Sequence, residues 1–537
     1  MPADYRAPLA DMQFILHELI PFSTINSLPA YQEVSDDLVN TILEEASKFA
    51  GEVLGPLNWT GDQEGCSYSE GAVKTPQGFK TAYQHYIEAG WISLAANADF
   101  GGQGLPITLA TPVNEMWHSA NMAFMLCPML TAGAIEAIEH HASFDQQALY
   151  LPPLVSGKWA GTMNLTEPSA GSDLSAVSSK AIPSGDHYLI SGTKIFITYG
   201  EHDFTENIIH LVLARLPDAP PGVKGISLFI VPKFLVNVDG SLGKRNDVKC
   251  VSIEHKLGIH ASPTAVMSFG ESGGAIGYLV GEANRGLEYM FTMMNNARLA
   301  VGLEGVAIAE RAYQQAAQYA QERVQGKVPQ KTEKLPILHH ADVQRMLMLM
   351  KTQTEAMRAL AYIAAAYSDL AQKHPDGSVR EANQKRVDLL TPIVKAWSTE
   401  QSIEIASLGV QVHGGMGYIE ETGAAQHYRD ARISAIYEGT NGIQANDLVG
   451  RKVLRDQGAA LGSYLEEILE TAERIEHDER LKPMAVKLKD AVSNLQAASH
   501  YVIENAAGSQ KFVGAVAYNF LMMMGYVAGA WYMARAA

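Results

Sequence analysis

The hydrophobic period of this chain changes twice, and that change limits the folds it can adopt. Apolar residues recur at helical spacing up to about residue 156, for example between Leu38 and Ala46. From residue 161 to about residue 281 they form short alternating or β-branched runs, separated by Gly, Pro and Asp. After Gly286 the helical spacing returns and continues to Lys452. Runs of period 2 predict strands, and runs of period 3.6 predict helices.

An α+β fold in four parts is therefore predicted. The parts are an N-terminal α-helical domain (residues 1–160), a middle β-barrel or mostly antiparallel sheet domain (161–283), a helical bundle (284–454) and an extra C-terminal helical domain (455–537). A chain of 537 residues is long enough for roughly three or four domains.

Charge and cysteine content exclude several classes of protein. A formal net charge of -17 with no basic tract predicts no nucleic-acid partner, because affinity for phosphate backbones comes mainly from clustered Lys and Arg. Cys66, Cys127 and Cys250 are too few and too scattered for a disulfide framework, and the histidine pairs 140–141 and 339–340 lack ligand spacing on a helix. We expect a cytoplasmic protein without a metal.

The two ends of the chain bear on targeting. Residues 1–5 lack a basic region and a following apolar run, so neither a secretory signal nor a transit peptide is expected. Residues 512–534 carry no charge, which permits a membrane span, but Asn519 and several Gly and Ala favour a buried or partner-facing helix. Weak membrane association through this C-terminal helix is the alternative.

Two segments around the start of the middle domain could hold a ligand. Residues 163–173 (MNLTEPSAGSD) combine hydroxyl groups, small residues and the free backbone N–H groups of a turn, which suit a polar ring edge and a phosphate. Residues 192–200 (GTKIFITYG) read as a strand with an aromatic ring and a hydroxyl on the same side, at Phe196 and Thr198. The alternatives that need no ligand are a capped loop for the first segment and a core strand for the second.

A glycine-rich segment and a lone arginine lie in the predicted bundle. Residues 411–418 (QVHGGMGY) let the backbone approach a ligand, and a helix start there could receive an anion. The segment is not a dinucleotide-binding fingerprint, because no strand precedes it and the glycine spacing differs. Arg298 is either functional or a surface or ion-paired arginine.

A single carboxylate marks the break between two predicted helices at residues 436–444 (IYEGTNGIQ). Glu438 is followed by Gly439, which lets another molecule come close, and by Thr440, a ready N-cap for the next helix. A catalytic base fits this position, and a solvated turn is the alternative.

One motif points to another class of enzyme. Residues 270–274 (GESGG) match the G-x-S-x-G elbow of serine hydrolases. That elbow needs a following helix, whereas residues 275–280 read as a strand, so a hairpin turn is expected and a serine hydrolase is the least favoured function.

Three separate motifs together resemble the acyl-CoA dehydrogenase family. They are residues 165–173 (LTEPSAGSD), 411–418 and 437–440 (YEGT), in the family's order. The resemblance runs from about Leu38 to Lys452, and the α-β-α order of domains is similar to that fold. The extra helices after residue 455 and the insertion at residues 327–340 resemble a bacterial long-type branch that contains long-chain and 3-methylmercaptopropionyl-CoA dehydrogenases.

The resemblance implies an FAD-dependent α,β-dehydrogenation of an acyl-CoA thioester to the trans-2-enoyl-CoA. Glu438 would remove the α-proton while the β-hydrogen leaves as hydride to the flavin. Such a base needs a desolvated site that raises its pKa. The implied substrate is a medium- or long-chain fatty acyl-CoA of β-oxidation, with 3-methylmercaptopropionyl-CoA as the alternative. An electron-transferring flavoprotein is the implied acceptor and a homodimer the implied assembly.

The family's roles carry over to individual positions. Arg298 joins Glu438 as a catalytic residue, and Ser172, Tyr437 and Gly439 would contact the substrate. The cofactor contacts implied by the resemblance are Met163, Leu165, Thr166, Ser172, Phe196, Thr198, Arg323, Gln325, Gln411, Gly414, Gly415 and Thr440. Of these, Arg323, Gln325, Gln411, Gly414 and Gly415 would hold the FAD of the neighbouring subunit.

The chain also departs from the family pattern. Asn441-Gly442 replaces the usual Ser-Glu or Ser-Gln, Gly326 replaces a Phe and Asn164 replaces a small residue, which affects the adenine side and the dimer contacts. Ala297 stands where some branches carry the base, so Glu438 has no rival. The competing functions are an oxygen-reactive acyl-CoA oxidase and a DNA-binding flavoprotein like the alkylation-response relatives, which the absence of a basic C-terminal excess disfavours.

Overall fold

The computed structural model describes residues 4–20, 22–329 and 331–537. Residues 1–3, within the segment where no leader is expected, and residue 330, within the insertion at 327–340, lie outside the described residues. The helices in chain order are α1 (Leu9–Phe14), α2 (Phe22–Asn26), α3 (Asp36–Phe49), α4 (Gly55–Glu64), α5 (Phe79–Glu88), α6 (Ile107–His141), α7 (Phe144–Val155), α8 (Gly286–Glu322), α9 (Ala341–Lys373), α10 (Gly377–His413), α11 (Ala424–Ser434), α12 (Asn441–Asp447), α13 (Ala459–Ile475), α14 (Lys482–Asn505) and α15 (Gln510–Ala536).

The strands fall mainly between α7 and α8. They are β1 (Ser67–Ser69), β2 (Ala72–Lys74), β3 (Trp159–Asn164), β4 (Lys180–Ser184), β5 (His187–Thr198), β6 (Asn207–Arg215), β7 (Ile226–Pro232), β8 (Phe234–Val236), β9 (Leu242–Arg245), β10 (Val248–Ile253), β11 (Thr264–Phe269) and β12 (Ala275–Leu279). This sequence of helices, strands and helices confirms the predicted α+β fold class with extra C-terminal helices. The four predicted domain boundaries stay predictions.

The chain divides into two compact units. The helical unit contains Met1–Gly55, Pro106–Ala120 and Arg298–Ala537, and the sheet unit contains Pro56–Leu105 and Asn121–Ala297. Two boundaries fall inside long helices. In α6 the backbone leaves the helical region at Asn121 (φ -158°, ψ 87°), and the Oδ1 of Asn121 accepts from the N–H of Phe124, so this side chain caps the second half of the helix.

The main sheet of the sheet unit has eight strands. Seven follow the order β10-β11-β5-β12-β7-β6-β3, and β4 pairs with both β5 and β6. The pairs are antiparallel except β3 with β6 and a short β4–β6 contact, as the prediction of a mostly antiparallel sheet requires. Strands β6 and β7 are buried on both faces, which explains their continuous apolar sequences.

The turn at residues 270–274 is not a hairpin turn, so that prediction is wrong. Strands β11 and β12 flank the turn, but both pair antiparallel to β5 and not to each other. Because β5 is twelve residues long, its two halves pair with different strands. The segment after the turn is a strand, so the helix required by a serine-hydrolase elbow does not follow it.

Buried polar contacts hold the helices of the helical unit. Arg358 of α9 is fully buried, and its Nη2 lies 2.7 Å from Glu115 Oε1 and 2.6 Å from Glu310 Oε2. The hydroxyl of Tyr362, one turn along α9, donates to Glu115 Oε2. Removing one partner of such a buried pair costs on the order of 3–5 kcal/mol, because the other charge is left without compensation.

The C-terminal helix α15 packs against α9 and α10. A Cβ built on Gly525 would lie 2.2 Å from Trp397 Cγ, and one on Gly529 would lie 2.6 Å from Trp397 Cη2, so the two glycines receive the indole of α10. By length and composition, Ile107–His141 and Lys511–Ala536 could cross a membrane; their most apolar windows are 89% and 44% buried within the protein.

Candidate active site

Glu438 lies in the turn between α11 and α12, in a left-handed backbone conformation (φ 54°). Gly439 continues it at φ 84°, and a Cβ there would meet Gln444 Nε2 at 2.8 Å. The hydroxyl of Thr440 accepts from the N–H of Ile443, which confirms the predicted N-cap of α12. A left-handed conformation is uncommon outside glycine, and such positions cluster at functional sites.

The carboxyl group of Glu438 is desolvated. Its Oε2 is buried and has no hydrogen-bond partner among the described residues. Burial raises the pKa of Glu438 from 4.5 to about 7, although the charges of Arg298 and Lys395 act to lower it. A carboxylate with a pKa near neutrality is suited to general-base catalysis.

Arg298 lies beside this turn, on α8, and is 5% exposed. Its Nη2 would be 3.7 Å from a Cβ on Gly439. Burial lowers the pKa of Arg298, while Asp447 and Glu438 favour the charged form. The structure therefore brings together the base-side residues that the resemblance implied, Arg298 and residues 437–440; their catalytic roles stay predictions.

Sequence analysis missed a buried polar cluster behind the base. The hydroxyl of Tyr437 donates to Oε2 of Glu304, a residue of α8 with no exposed surface. Lys395 of α10 is equally buried, and its Nζ donates to Asn441 Oδ1 at 2.9 Å. The available signal was a single charged residue within a long apolar helical stretch, at Glu304 and again at Lys395.

The glycine-rich segment follows the end of α10 and starts a five-residue 3₁₀ helix, so a short helix does begin at this place; its role in binding an anion stays a prediction. Helix α10 ends at His413, and Gly414 (φ 62°) turns the chain into a 3₁₀ segment. A Cβ on Gly414 or Gly415 would meet nothing within 4 Å, which leaves the backbone open to a ligand. Gln411 is exposed on the last turn of α10.

Arg323 and Gln325 lie directly after the end of α8 and are exposed. At 1.5 Å per helical residue they are on the order of 35 Å from Arg298 along the same helix. This separation places them far from the base of their own chain.

The first of the two predicted ligand segments, residues 163–173, continues from β3 into a tight turn. Glu167 and Ala170 exchange backbone hydrogen bonds of 2.9 and 3.0 Å, and Asp173 caps the short 3₁₀ helix that follows by accepting from Ser175. Thr166 is half-buried and Ser172 is exposed. Their hydroxyl groups make no hydrogen bond within the described residues, so both are available to a ligand.

Glu167 anchors this turn, a role that sequence analysis did not assign. Its two oxygens accept from the N–H and hydroxyl groups of Ser178 and Ser179 at 2.6–3.0 Å, and from Lys194 Nζ at 2.8 Å. Burial acts to raise the pKa of Glu167, but Lys194 and the serines outweigh it and lower that pKa from 4.5 to about 2. Lys194 also donates to Leu165 O at 3.0 Å, so it ties the turn to β5.

The second predicted ligand segment, residues 192–200, includes the end of β5 and carries a bulge. The register between β5 and β11 shifts opposite Phe196, which has φ 60° and is 59% exposed. The N–H of Ile195 donates to Thr166 O at 2.9 Å, so the structure brings both predicted segments together in the sheet unit. Thr198 is half-buried, and its hydroxyl has no partner among the described residues.

These residues fit a flavin on the chemistry of their side chains. An exposed aromatic ring on a strained backbone, the half-buried apolar Met163, and three hydroxyl groups without partners in the described chain suit a flat ring with polar edges and a phosphate. The carbonyl Oδ1 of Asn164 is a further buried polar atom without a partner in the described residues.

Comparisons with known proteins agree with this geometry. Family models match four segments: the acyl-CoA dehydrogenase N-terminal domain (residues 39–158), its middle domain (162–271), its C-terminal domain (284–453) and an acetyl-CoA dehydrogenase C-terminal-like domain (464–537).

Among curated relatives, the chain is 48% identical to 3-methylmercaptopropionyl-CoA dehydrogenase of Ruegeria pomeroyi, over 99% of this chain and 91% of the relative. It is 34% identical to the broad-specificity linear acyl-CoA dehydrogenase FadE5 of Mycobacterium tuberculosis, over 99% and 90%. Among solved structures, Caenorhabditis elegans ACDH-11 in complex with C11-CoA has the same fold, with a TM-score of 0.81 at 19% identity over 100% of this chain and 88% of that one.

Proposed function

We propose, since the chain belongs to the acyl-CoA dehydrogenase family, that it oxidises an acyl-CoA thioester to the trans-2-enoyl-CoA with Glu438 as the base. The family is one of FAD-dependent oxidoreductases, and this chain is such a flavoprotein. The observation that carries the assignment of the base is the Oε2 of Glu438, which is buried in a left-handed turn without a hydrogen-bond partner among the described residues.

The chemistry requires the state in which Glu438 is held. The α-proton of a thioester is weakly acidic, so its acceptor needs a raised pKa and a site from which water is excluded. Glu438 has a pKa of about 7 because it is buried, and Arg298 keeps the charged form accessible. FAD, when bound, supplies the oxidation by accepting the β-hydrogen with its electron pair.

The sheet unit supplies the residues proposed to hold the flavin. Met163, Leu165, Thr166, Phe196 and Thr198 would contact the ring, and Ser172 would reach the pyrophosphate. Lys194 and Glu167 would keep these contacts in place, because they fix the turn that carries Leu165 and Thr166.

The remaining assigned residues suggest a homodimer. Arg323 and Gln325 are far along α8 from Arg298, and we assign them, with Gln411, Gly414 and Gly415, to the FAD of a neighbouring subunit. Loss of FAD and dissociation of the dimer should then be linked. Sedimentation during gradual removal of FAD measures this, and a monomer that keeps FAD would contradict it.

The names of two relatives support two different classes of substrate. A medium- or long-chain fatty acyl-CoA of β-oxidation is supported by the relative from Mycobacterium tuberculosis, whose name specifies linear acyl-CoAs. 3-Methylmercaptopropionyl-CoA is supported by the relative from Ruegeria pomeroyi at 48% identity. A panel of acyl-CoAs with an artificial electron acceptor, assayed under air and under nitrogen, separates these substrates and also detects an oxygen-reactive oxidase.

The decisive experiment replaces the base. Glu438→Gln keeps the shape of the side chain but cannot accept a proton, so acyl-CoA should still bind while flavin reduction slows by at least about 10²-fold. The matched control is Glu421→Gln, an exposed carboxylate of the same unit. Anaerobic stopped-flow bleaching of the flavin gives the rate, and a variant that bleaches within a few-fold of the parent would remove Glu438 as the base.

Acceptor and location complete the proposal. We assign an electron-transferring flavoprotein as the electron acceptor and the cytoplasm as the location, with no nucleic-acid partner, in line with the acidic charge. Weak membrane association through α15 is tested by flotation with anionic vesicles. Packing of its glycines on Trp397 favours the alternative, a helix held by the protein.

A further inference from the structure

A buried ammonium group lies close behind the base. Lys395 has no exposed surface, and Asn441 Oδ1, at 2.9 Å, is its one hydrogen-bond acceptor in the described part of the chain. Asn441 is itself held by donating to Thr399 Oγ1 and Glu400 Oε1, each at 3.0 Å. A neutral amide fixes the position of the ammonium but does not neutralise its charge, so nearby carboxylates must compensate it.

A buried carboxyl group lies on the other side of the same turn. Glu304 accepts from Tyr437, the residue before the base, through Oε2, and its Oε1 is buried without a partner among the described residues. Burial raises the pKa of Glu304 to about 8, and it lowers the pKa of Lys395 to about 7 against the opposing charges of Glu438 and Glu304. The mechanism derived above assigns neither residue a task.

We propose that Lys395 is a positioning residue that favours the ionised form of Glu438. The ammonium group held by Asn441 stabilises the charge that Glu438 carries before it removes a proton, whereas the carboxyl group held by Tyr437 is protonated over the same pH range and adds no charge there. This inference rests on the proposed function, since it concerns the same base. The charged and titratable groups facing this cluster are Arg298 and Glu304 from α8, Lys395 and Glu400 from α10, Asp430 from α11, Tyr437 from the turn, Asp447 from the end of α12, and Arg451 after it.

The test uses the sign of a pH shift. Lys395→Met removes a neighbouring cation, so the pH midpoint for flavin bleaching by acyl-CoA should rise by about one unit or more. Glu304→Gln replaces an acid that is protonated at this midpoint and keeps the acceptor for Tyr437, so the midpoint should stay unchanged. Lys385→Met and Glu381→Gln are the controls, because these residues form an exposed pair on the same helix as Lys395, and both should leave the midpoint unchanged.

A second readout needs no turnover. Infrared titration of the holoenzyme without substrate follows the carboxyl band that is lost in Glu438→Gln, and that band should titrate at a higher pH in Lys395→Met and at the parent's pH in Glu304→Gln. This infrared pattern without bleaching by any acyl-CoA would support the inference while removing the proposed function.

A structural role gives a different pattern. If Lys395→Met leaves the midpoint unchanged or lowers it, or if Glu304→Gln raises it by as much, the inference is overturned even when the parent enzyme bleaches normally. Should Lys395→Met lose its flavin, Lys395→Gln replaces it. Lys395→Gln, which stays polar but carries no charge, then decides the matter, since a midpoint that does not rise in that variant overturns the inference.

Discussion

The carboxylate of Glu167 offers the most direct test of how the turn at residues 167–170 is held. In Glu167→Gln one oxygen becomes an NH₂ group. Each oxygen of Glu167 accepts from both the N–H and the hydroxyl of a serine, so the NH₂ group faces donors whichever way the amide is turned. The substitution also removes the counter-charge of the buried Lys194.

The pKa of Glu167 gives the magnitude of the effect. A fall from 4.5 to about 2 corresponds to a preference of about 3 kcal/mol for the charged form. That figure agrees with the roughly 3–5 kcal/mol lost when one partner of a buried ion pair is removed. Local opening of the turn should therefore become on the order of 10²-fold more frequent in the variant.

Hydrogen exchange followed by mass spectrometry measures this opening directly. The amides of Ser178 and Ser179, which donate to Glu167, should exchange about 10²-fold faster in Glu167→Gln. Glu271→Gln is the control, because Glu271 forms an exposed pair with Lys249 at 3.9 Å that contributes about 1 kcal/mol or less. Exchange within threefold of the parent in Glu167→Gln would refute the anchoring role.

The same carboxylate predicts a pH dependence with a definite sign. Because the folded-state pKa lies below the unfolded value, this stabilisation is present above about pH 4.5 and is lost as the pH falls towards 2. After correction for intrinsic exchange, the parent should lose protection of these amides in that range and Glu167→Gln should not.

Two further substitutions test backbone and packing features. Phe196→Gly relieves a left-handed conformation at a bulky residue, so the stability of the FAD-free protein should stay within about 1 kcal/mol of the parent's. The variant also loses the aromatic ring, so FAD should bind roughly tenfold more weakly in a fluorescence titration. An unchanged affinity would count against the contact between this ring and the flavin. Gly525→Ala should lower the melting temperature, because overpacking against Trp397 costs about 1–3 kcal/mol. The control is Gly514→Ala on the same helix, whose Cβ meets nothing within 4 Å and which should stabilise the protein by up to about 1 kcal/mol. Equal effects of the two substitutions would contradict the packing of Gly525 on Trp397.

Local patterns in the sequence predicted the features that depend on local physics. The switch of hydrophobic period predicted the helix-strand-helix order, and the hydroxyl of Thr440 predicted the cap of α12. The hairpin at residues 270–274 was wrong because two short strands share one long partner, which no local pattern records. The helix start near Gly414 is only a short 3₁₀ helix, because the same glycine also ends α10.

The charged groups behind the site could not be found from local patterns. Glu167 meets Lys194 only because β3 and β5 converge, and the two residues are 27 positions apart in the chain. Glu304 and Lys395 approach Glu438 only through the packing of α8, α10 and the turn. In sequence each is an isolated charge in an apolar stretch, without a visible partner.

Trp397 connects the C-terminal helix to the helix that carries Lys395. The indole packs against the backbone at Gly525 and Gly529. Lys395 lies two positions before Trp397 on α10. A change in the seating of the helix would therefore rotate or slide the backbone that carries the ammonium group. Under the proposal for Lys395, substitutions at Gly525 or Gly529, which are 87 and 91 residues from the base in sequence, would thus alter the acid limb of the enzyme's rate profile, and a search for rate-altering variants that stops at residue 454 would miss them.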